Sequence, residues 1–161
     1  MARGTPEPAE ILALSPPEAA PPDSIALDLE TRRAISIEVD AGTLDGVERR
    51  LDEHRETIAA FFDLPLTRRE GAGFLRYGPG GFYRPHRDRA DMTSWPGAAE
   101  RRVALVLFLN DDFAGGTLRL LDTSTDVVPR AGALVAFPAE TLHEVLPVST
   151  GTRDVVVDWF C

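Results

Sequence analysis

Three side chains of this sequence have the types and spacing that could bind one metal ion. His86 and Asp88 stand two residues apart, so on a strand an imidazole and a carboxylate would project from the same face. A His-x-Asp triplet often arises by chance, and by itself it fits a surface turn with a local hydrogen bond. His143, at the start of the apolar run 143–148, adds a second imidazole. Two imidazoles and one carboxylate suit iron(II) and leave positions open for substrate and dioxygen, whereas a structural zinc site would need a fourth protein ligand.

An arginine downstream of His143 could bring a cation into the same cavity. Arg153 opens the last apolar run, residues 153–160, and a hairpin would set that strand beside the one that begins at His143. A guanidinium holds a carboxylate through two parallel hydrogen bonds. Together the two sites would suit a dicarboxylate that chelates the metal with one end and binds Arg153 with the other.

The composition excludes several other kinds of chemistry. The chain has 161 residues and a formal net charge of −9, and all 17 of its Lys and Arg residues are arginines. Without lysine there is no Schiff-base nucleophile, no pyridoxal-phosphate lysine and no P-loop lysine. A pI near 4.8 argues against a general nucleic-acid-binding protein. The single cysteine, Cys161, excludes an internal disulfide and a cysteine-rich zinc site, so a metal site must use histidines and carboxylates.

The first part of the chain is expected to form an arm, a strand and a helix. Residues 1–24 are rich in proline and alanine, which predicts a flexible arm, and we expect residues 25–161 to form one domain. Residues 32–39 alternate between apolar and polar types and predict a half-buried strand. Apolar residues at three- and four-residue steps from 44 to 64 predict one amphipathic helix, in which His54 is an ordinary, partly exposed residue.

The rest of the chain is predicted to be rich in strands. Short apolar runs are separated by Gly, Pro, Asn and Asp, and the runs are 73–77, 82–85, 102–110, 117–121, 133–137, 143–148 and 153–160. Seven or eight short strands with frequent turn signals indicate a β-sandwich or barrel. Residues 103–109 are almost all apolar, which predicts a central strand that is buried on both faces.

Three segments of the sequence resemble a known family. They are LRYGPGGFYRPHRD (75–88), RRVALVLFLNDDFAGGTLRLL (101–121) and VVPRAGALVAFPAETLHEVLPVSTGTRDVVVDWF (127–160). In order and spacing they are similar to the prolyl-4-hydroxylase-like iron(II)/2-oxoglutarate dioxygenases. The resemblance implies a mainly β fold with a flanking helix, built on a double-stranded β-helix (jelly-roll, cupin-like) core.

The resemblance also implies roles for individual residues. It makes His86, Asp88 and His143 the iron ligands, Arg153 the anchor for the distal carboxylate of 2-oxoglutarate, Tyr77 a residue of the co-substrate pocket, and Leu118 and Trp159 its apolar lining. The implied reaction uses Fe(II), 2-oxoglutarate and O2, with ascorbate as an accessory reductant, to hydroxylate an unactivated C–H bond and release succinate and CO2. A carboxylate at Asp88 indicates a hydroxylase, because halogenases of this superfamily carry a small residue there.

The sequence departs from many members of the family at two positions. Many relatives have a tyrosine on the central strand that helps to bind the distal carboxylate, but here the strand reads Val-Leu-Phe-Leu over 106–109. Many relatives also use lysine where this chain has Arg153. We therefore expect Arg153 to bind the distal carboxylate of the co-substrate, with a contribution from Tyr77.

Several alternatives remain open at this stage. A non-catalytic cupin-like metal- or ligand-binding module would bind metal without 2-oxoglutarate, and a sensor domain would use residues 1–24 to recruit a partner. Within the dioxygenase hypothesis, the substrate could be peptidyl proline, a free amino acid or a small natural product. No signal peptide or membrane segment is recognisable, so we expect a cytoplasmic protein that binds neither nucleic acid nor membrane.

The residues around His86 suggest how a substrate could be attracted. Arg84, Arg87 and Arg89 could draw an acidic substrate to the site, or they could form an ordinary solvated rim. The segment 89–100 lacks periodicity and follows the candidate ligands directly, which favours a loop that contacts substrate.

Overall fold

The computed structural model describes residues 31–89 and 96–161. Its helices are α1 (Ala41–Glu53), α2 (Arg55–Phe62) and α3 (Pro96–Ala99). Its strands are β1 (Arg32–Arg33), β2 (Ile35–Ser36), β3 (Gly73–Tyr77), β4 (Phe82–His86), β5 (Val103–Phe108), β6 (Ala114–Gly115), β7 (Leu118–Leu120), β8 (Thr125–Val127), β9 (Leu134–Pro138), β10 (His143–Val145), β11 (Val148–Thr150) and β12 (Arg153–Phe160).

Two five-stranded antiparallel sheets form the framework. The first has the strand order β1-β4-β10-β7-β8, and the second has the order β2-β3-β12-β5-β9. A two-stranded sheet of β6 and β11 completes the strands. The predicted mainly β fold with flanking helices is therefore confirmed, and the two large sheets are the two layers of the jelly-roll core.

The strand predicted over residues 32–39 is shorter than expected and is split between the two sheets. β1 pairs with β4 in the first sheet, and β2 pairs with β3 in the second. Ala34, between them, is buried at the point where the chain passes from one sheet to the other. Alternation of apolar residues does not reveal such a transfer, because the alternating pattern continues through it.

The single helix predicted over residues 44–64 is two helices that meet at His54. Asp40 begins α1 by accepting a hydrogen bond from the Thr43 N–H at 3.0 Å. The His54 N–H donates to the Leu51 carbonyl, three residues back, and this tighter turn ends α1. Leu51 and Ile58 both remain buried, so the apolar periodicity continues across the break and conceals it. His54 itself is exposed, as expected.

Apolar side chains form two layers on the two faces of the second sheet. One cluster lies between the sheets and includes Leu75, Tyr77, Phe108, Leu118 and Val145. The other packs Leu51 and Ile58 of the helices against the outer face of the second sheet, on residues that include Phe74, Val156 and Phe160. β5 lies between β12 and β9, and nearly all its residues are buried, which confirms a central strand over 103–108. The prediction is wrong at Leu109, which lies beyond the strand and is exposed.

Some predictions concern residues that the structure does not describe. The predicted arm, residues 1–24, lies outside the described residues, as do residues 90–95 of the predicted substrate loop. The remainder of that loop contains the short helix α3. Among the described helices, none is long and apolar enough to cross a membrane.

Candidate metal and co-substrate site

The structure brings His86, Asp88 and His143 together at the ends of two paired strands. His86 ends β4 and His143 begins β10, and the two residues are opposite each other in the antiparallel register. Asp88 follows just beyond β4. Its Oδ1 lies 3.5 Å from His86 Nε2, and its Oδ2 lies 3.6 Å from His143 Nε2. One ligand atom from each residue falls within 4.8 Å of the others, a spacing at which one ion can contact all three.

Backbone carbonyls orient both imidazoles. His86 Nδ1 lies 2.7 Å from the Arg84 carbonyl oxygen, and His143 Nδ1 lies 2.9 Å from the Thr141 carbonyl oxygen. A carbonyl only accepts, so each Nδ1 carries the proton and each Nε2 presents its lone pair to Asp88. Two lone pairs and a carboxylate that face one another fit a divalent cation between them.

The electrostatic surroundings favour the metal-binding protonation states. Burial acts to raise the pKa of Asp88, but the polar contacts with His86 and His143 outweigh burial and lower this pKa. Burial lowers the pKa of His143. At neutral pH the carboxylate is therefore ionised and the His143 ring is neutral, as metal ligation requires.

Aromatic rings hold the two imidazoles from the sides. The Tyr83 ring stacks on His86 with centroids 3.5 Å apart and planes inclined by 16°. The edge of Phe137 packs on His143 with centroids 4.8 Å apart. Sequence reasoning did not assign Tyr83 a place at the site. Residues three apart on a regular strand project to opposite faces, and the irregular register of β4 against β10 leaves no signal in the sequence.

Arg153 is a buried guanidinium in the same cavity. It begins β12 opposite Tyr77 of β3, and both residues are almost fully buried, with exposed fractions of 1% and 2%. The guanidinium carbon lies 5.0 Å from the Tyr77 ring centre and 5.1 Å from the Phe108 ring centre. Within the described chain, Arg153 has no carboxylate partner, and its Nε makes no hydrogen bond. Burial lowers the pKa of Arg153, so an anion beside it would relieve a desolvated charge.

Gly116 provides the space in which the Arg153 side chain lies. Its φ of +60° favours glycine, and a Cβ there would lie 3.0 Å from Arg153 Cδ and 2.9 Å from Val148 Cγ2. Gly116 lies in the turn between β6 and β7. Its further role follows from the packing of β12 against this turn.

A cavity of about 270 Å³ between the two sheets is lined by the three candidate metal ligands and by Arg153. Every residue predicted for the site lines it. Among the described residues, the lining comprises Arg32, Glu70, Gly71, Ala72, Gly73, Leu75, Tyr77, Tyr83, His86, Asp88, Arg101, Leu105, Val106, Leu118, His143, Val145, Arg153, Val157 and Trp159. Leu118 is fully buried in the wall. Trp159 also lines the cavity, and its Nε1 is buried without a hydrogen-bond partner among the described residues.

An ion pair that sequence reasoning missed lies at the edge of this cavity. Arg101 donates to Glu70 from Nε at 2.6 Å and from Nη2 at 2.5 Å, and its guanidinium carbon lies 3.7 Å from the Trp159 ring centre. Arg101 Nη1 also donates to the Asp88 carbonyl at 3.1 Å. Glu70 and Arg101 are far apart in the chain, and no local pattern relates them.

The arginines around His86 contact other side chains of the same chain. Arg87 pairs with Asp122 at 2.9 Å, and Arg89 lies 3.7 Å from Glu140. Arg84 lies over the Phe82 ring. These contacts favour a structural rim over an acidic-substrate site at Arg87 and Arg89.

Comparison with known proteins agrees with this geometry. Residues 72–161 match the family model of the 2OG-Fe(II) oxygenase superfamily. A prolyl-4-hydroxylase of Pseudomonas putida superposes with a TM-score of 0.66 and 32% identity, over 91% of this chain and 76% of that one. A viral collagen prolyl hydroxylase from Paramecium Bursaria Chlorella virus-1 has the same fold, with a TM-score of 0.66 and 21% identity, over 81% of this chain and 79% of that one. The chain belongs to the 2OG-Fe(II) oxygenase superfamily.

Curated relatives are named PKHD-type hydroxylases. The protein from Acaryochloris marina is 40% identical over 90 residues, which are 53% of this chain and 39% of the relative. The protein from Thermosynechococcus vestitus is 42% identical over 92 residues, which are 53% of this chain and 40% of the relative. The matched part therefore spans about two fifths of the length of these relatives.

Proposed function

We propose that this chain is an Fe(II)- and 2-oxoglutarate-dependent dioxygenase that hydroxylates an unactivated C–H bond. The observation that carries the proposal is the shared cavity, which places a His-Asp-His ligand set and a buried guanidinium without a described carboxylate partner between the same two sheets. The ligand set suits iron(II), and the guanidinium suits the free carboxylate of a chelating keto acid.

Each residue has a defined role in this proposal. His86, Asp88 and His143 hold the metal through two Nε2 atoms and one carboxylate. Arg153 binds the distal carboxylate of 2-oxoglutarate. When bound, iron and 2-oxoglutarate supply the oxidising chemistry, which uses O2 and releases succinate and CO2.

The walls of the cavity orient the co-substrate and exclude water. Tyr77 lies against the Arg153 guanidinium, and burial raises the pKa of its hydroxyl, so Tyr77 stays protonated and can donate a hydrogen bond to a bound carboxylate. Leu118 and Val145 provide an apolar wall from the first sheet. In this dry environment the charge-assisted hydrogen bonds of Arg153 are stronger than they would be in water.

The size of the cavity restricts the substrate. Its volume of about 270 Å³ is at the small end for ligand pockets, and metal and co-substrate share it. We therefore propose a substrate that inserts one compact group, such as a side chain or small ring of a peptide or a small molecule, while the remainder stays outside. We also propose a cytoplasmic location and ascorbate as the reductant that maintains Fe(II).

A turnover assay tests the proposal. Protein incubated with Fe(II), ascorbate, 2-oxoglutarate and candidate peptides or amino acids should release succinate, and His143→Gln and Arg153→Met should abolish the release. A protein that binds metal but neither binds nor consumes 2-oxoglutarate would instead be the non-catalytic metal- or ligand-binding module.

A further inference from the structure

The candidate ligands come from two segments whose strand pairing ends at the ligands themselves. His86 and His143 are opposite each other where β4 ends and β10 begins, and the register is irregular between His143 and Val145. Asp88 lies beyond the end of β4, so no ladder hydrogen bonds fix its distance from His143. Other contacts must hold Asp88 in place.

One carboxylate oxygen outside the cavity joins the two segments. Asp122, in the turn after β7, accepts hydrogen bonds at the same Oδ2 from Arg87 Nη1 and from the Leu142 backbone N–H, both at 2.9 Å. Arg87 stands between two of the candidate ligands, and Leu142 directly precedes the third. Asp122 therefore touches both ligand-bearing segments without touching any ligand.

Three further hydrogen bonds hold Arg87 and the turn of Asp122 in place. Arg87 also donates to the Glu140 carbonyl, and the Arg89 N–H donates to the Ala139 carbonyl at 2.8 Å. The Leu121 N–H donates to the Leu142 carbonyl at 2.8 Å, which holds the turn with Asp122 against β10. Removal of the Asp122 carboxylate would loosen the guanidinium and leave the Leu142 N–H without its acceptor.

We propose that Asp122 is a positioning residue that sets the metal affinity of the site by holding the segments of Asp88 and His143 at a fixed spacing. This inference rests on the proposed function. The side chains of Arg87 and Asp122 are 47% and 45% exposed, so their ion pair adds little to global stability. The loss of metal affinity can therefore be separated from unfolding.

The test compares Fe(II) affinity with the stability of the metal-free protein. Fe(II) alone is titrated anaerobically into the full chain and into Asp122→Ala, Asp122→Asn and Arg87→Met. Supporting contacts behind metal ligands typically change affinity by about 10- to 100-fold, and we expect about 10-fold weaker binding in Asp122→Ala because it acts one step further away. Asp122→Asn, which keeps the shape, should weaken binding less and serves as the test if Asp122→Ala does not fold.

A matched control and a double variant make the result specific. Asp126, in the same hairpin, pairs with Arg119 at 2.6 Å, and Asp126→Ala should bind Fe(II) as the parent does. Arg87→Met combined with Asp122→Ala should weaken Fe(II) binding by less than the two single variants combined, since the two residues share one ion pair. Parent-like Fe(II) affinity in Asp122→Ala, or equal weakening in Asp126→Ala, would overturn the inference. A parent chain that binds no Fe(II) would instead contradict the proposed function.

Discussion

Arg153 and Tyr77 are register partners on neighbouring strands, and the guanidinium carbon of Arg153 lies 5.0 Å from the centre of the Tyr77 ring. Both side chains are buried, and no carboxylate within the described residues 31–89 and 96–161 pairs with the arginine. A buried cation without a counter-ion costs folding free energy, which an anionic ligand would recover on binding.

Replacing Arg153 with methionine should stabilise the ligand-free protein. Methionine fills similar space without a desolvated charge or an unpaired Nε, so the free energy of unfolding should rise by about 1 kcal/mol. The unfolding midpoint of the metal-loaded Arg153→Met variant should also not rise when 2-oxoglutarate is added, whereas the midpoint of the metal-loaded parent should rise. Chemical denaturation with and without 2-oxoglutarate measures both effects, and strong destabilisation of the ligand-free variant would contradict the interpretation.

Replacing Phe108 with tyrosine should tighten 2-oxoglutarate binding. The Phe108 ring centre lies 5.1 Å from the Arg153 guanidinium carbon, at the central-strand position where the sequence lacks a hydroxyl. A hydrogen bond contributes about 0.5–1.5 kcal/mol, which corresponds to an affinity gain of roughly 2- to 10-fold. Calorimetric titration of the metal-loaded variant measures the gain. Phe62→Tyr, in α2 and remote from the cavity, is the control, and unchanged affinity in Phe108→Tyr would show that the ring does not face the carboxylate.

One metal ion should bind per chain, independently of the third histidine. His54 lies exposed at the junction of α1 and α2, whereas His143 is buried in the cavity. His54→Gln should keep the metal stoichiometry and affinity of the parent, and His143→Gln should weaken binding by at least about 10-fold. Equal losses in the two variants, measured by metal titration, would rule out the assigned ligand set.

Two carboxylates that share Arg69 should affect the pH dependence of stability with opposite sign. Burial acts to raise the pKa of Asp52, but hydrogen bonds from Arg55 and Arg69 lower it below 3.8. Burial raises the pKa of Asp158 above 3.8, although Arg69 Nη1 lies only 2.6 Å from its Oδ2. A lowered pKa gives stability that is lost as the pH falls below about 4, and a raised pKa gives stability that is lost as the pH rises above about 4.

The corresponding variants separate the two contributions. Asp52→Asn should flatten the fall in unfolding free energy below about pH 4. Asp158→Asn should flatten the decline in unfolding free energy above about pH 4, whether it raises or lowers the unfolding free energy at any single pH. Urea denaturation between pH 3 and pH 7 measures how the unfolding free energy of each variant depends on pH. If the two substitutions change this dependence in the same sense, one of the two pKa directions is wrong.

The local part of the site could be predicted from sequence, and its long-range part could not. The spacing of His86 and Asp88 predicted that they would meet, although Asp88 lies just beyond the end of β4. The hairpin expected to set Arg153 beside the strand of His143 is wrong, because β12 pairs with β3 and β5 and Arg153 reaches the cavity from the second sheet, whereas His143 belongs to the first. The pair of Glu70 and Arg101 depends on contacts between distant segments. No short-range pattern records such contacts.

The errors in the fold have the same origin. The strand predicted over 32–39 divides at Ala34 because β1 pairs with the first sheet and β2 with the second. The helix predicted over 44–64 breaks at His54, although its apolar periodicity continues across the break. Asp122 was overlooked because its turn position gave no functional signal, and its contacts to Arg87 and Leu142 appear only when three segments meet.

Binding of 2-oxoglutarate to the metal-loaded protein tests the central claim most directly, because it requires the ligand set and Arg153 at once and needs no substrate. Anaerobic calorimetry should show one 2-oxoglutarate bound per chain when Fe(II) is present. Affinity should be lost in Arg153→Met and in His143→Gln, and it should be kept in Arg49→Met, whose exposed arginine pairs only with Asp45 among its described neighbours. A chain that binds Fe(II) but not 2-oxoglutarate, or that binds 2-oxoglutarate equally well without Arg153, would contradict the account.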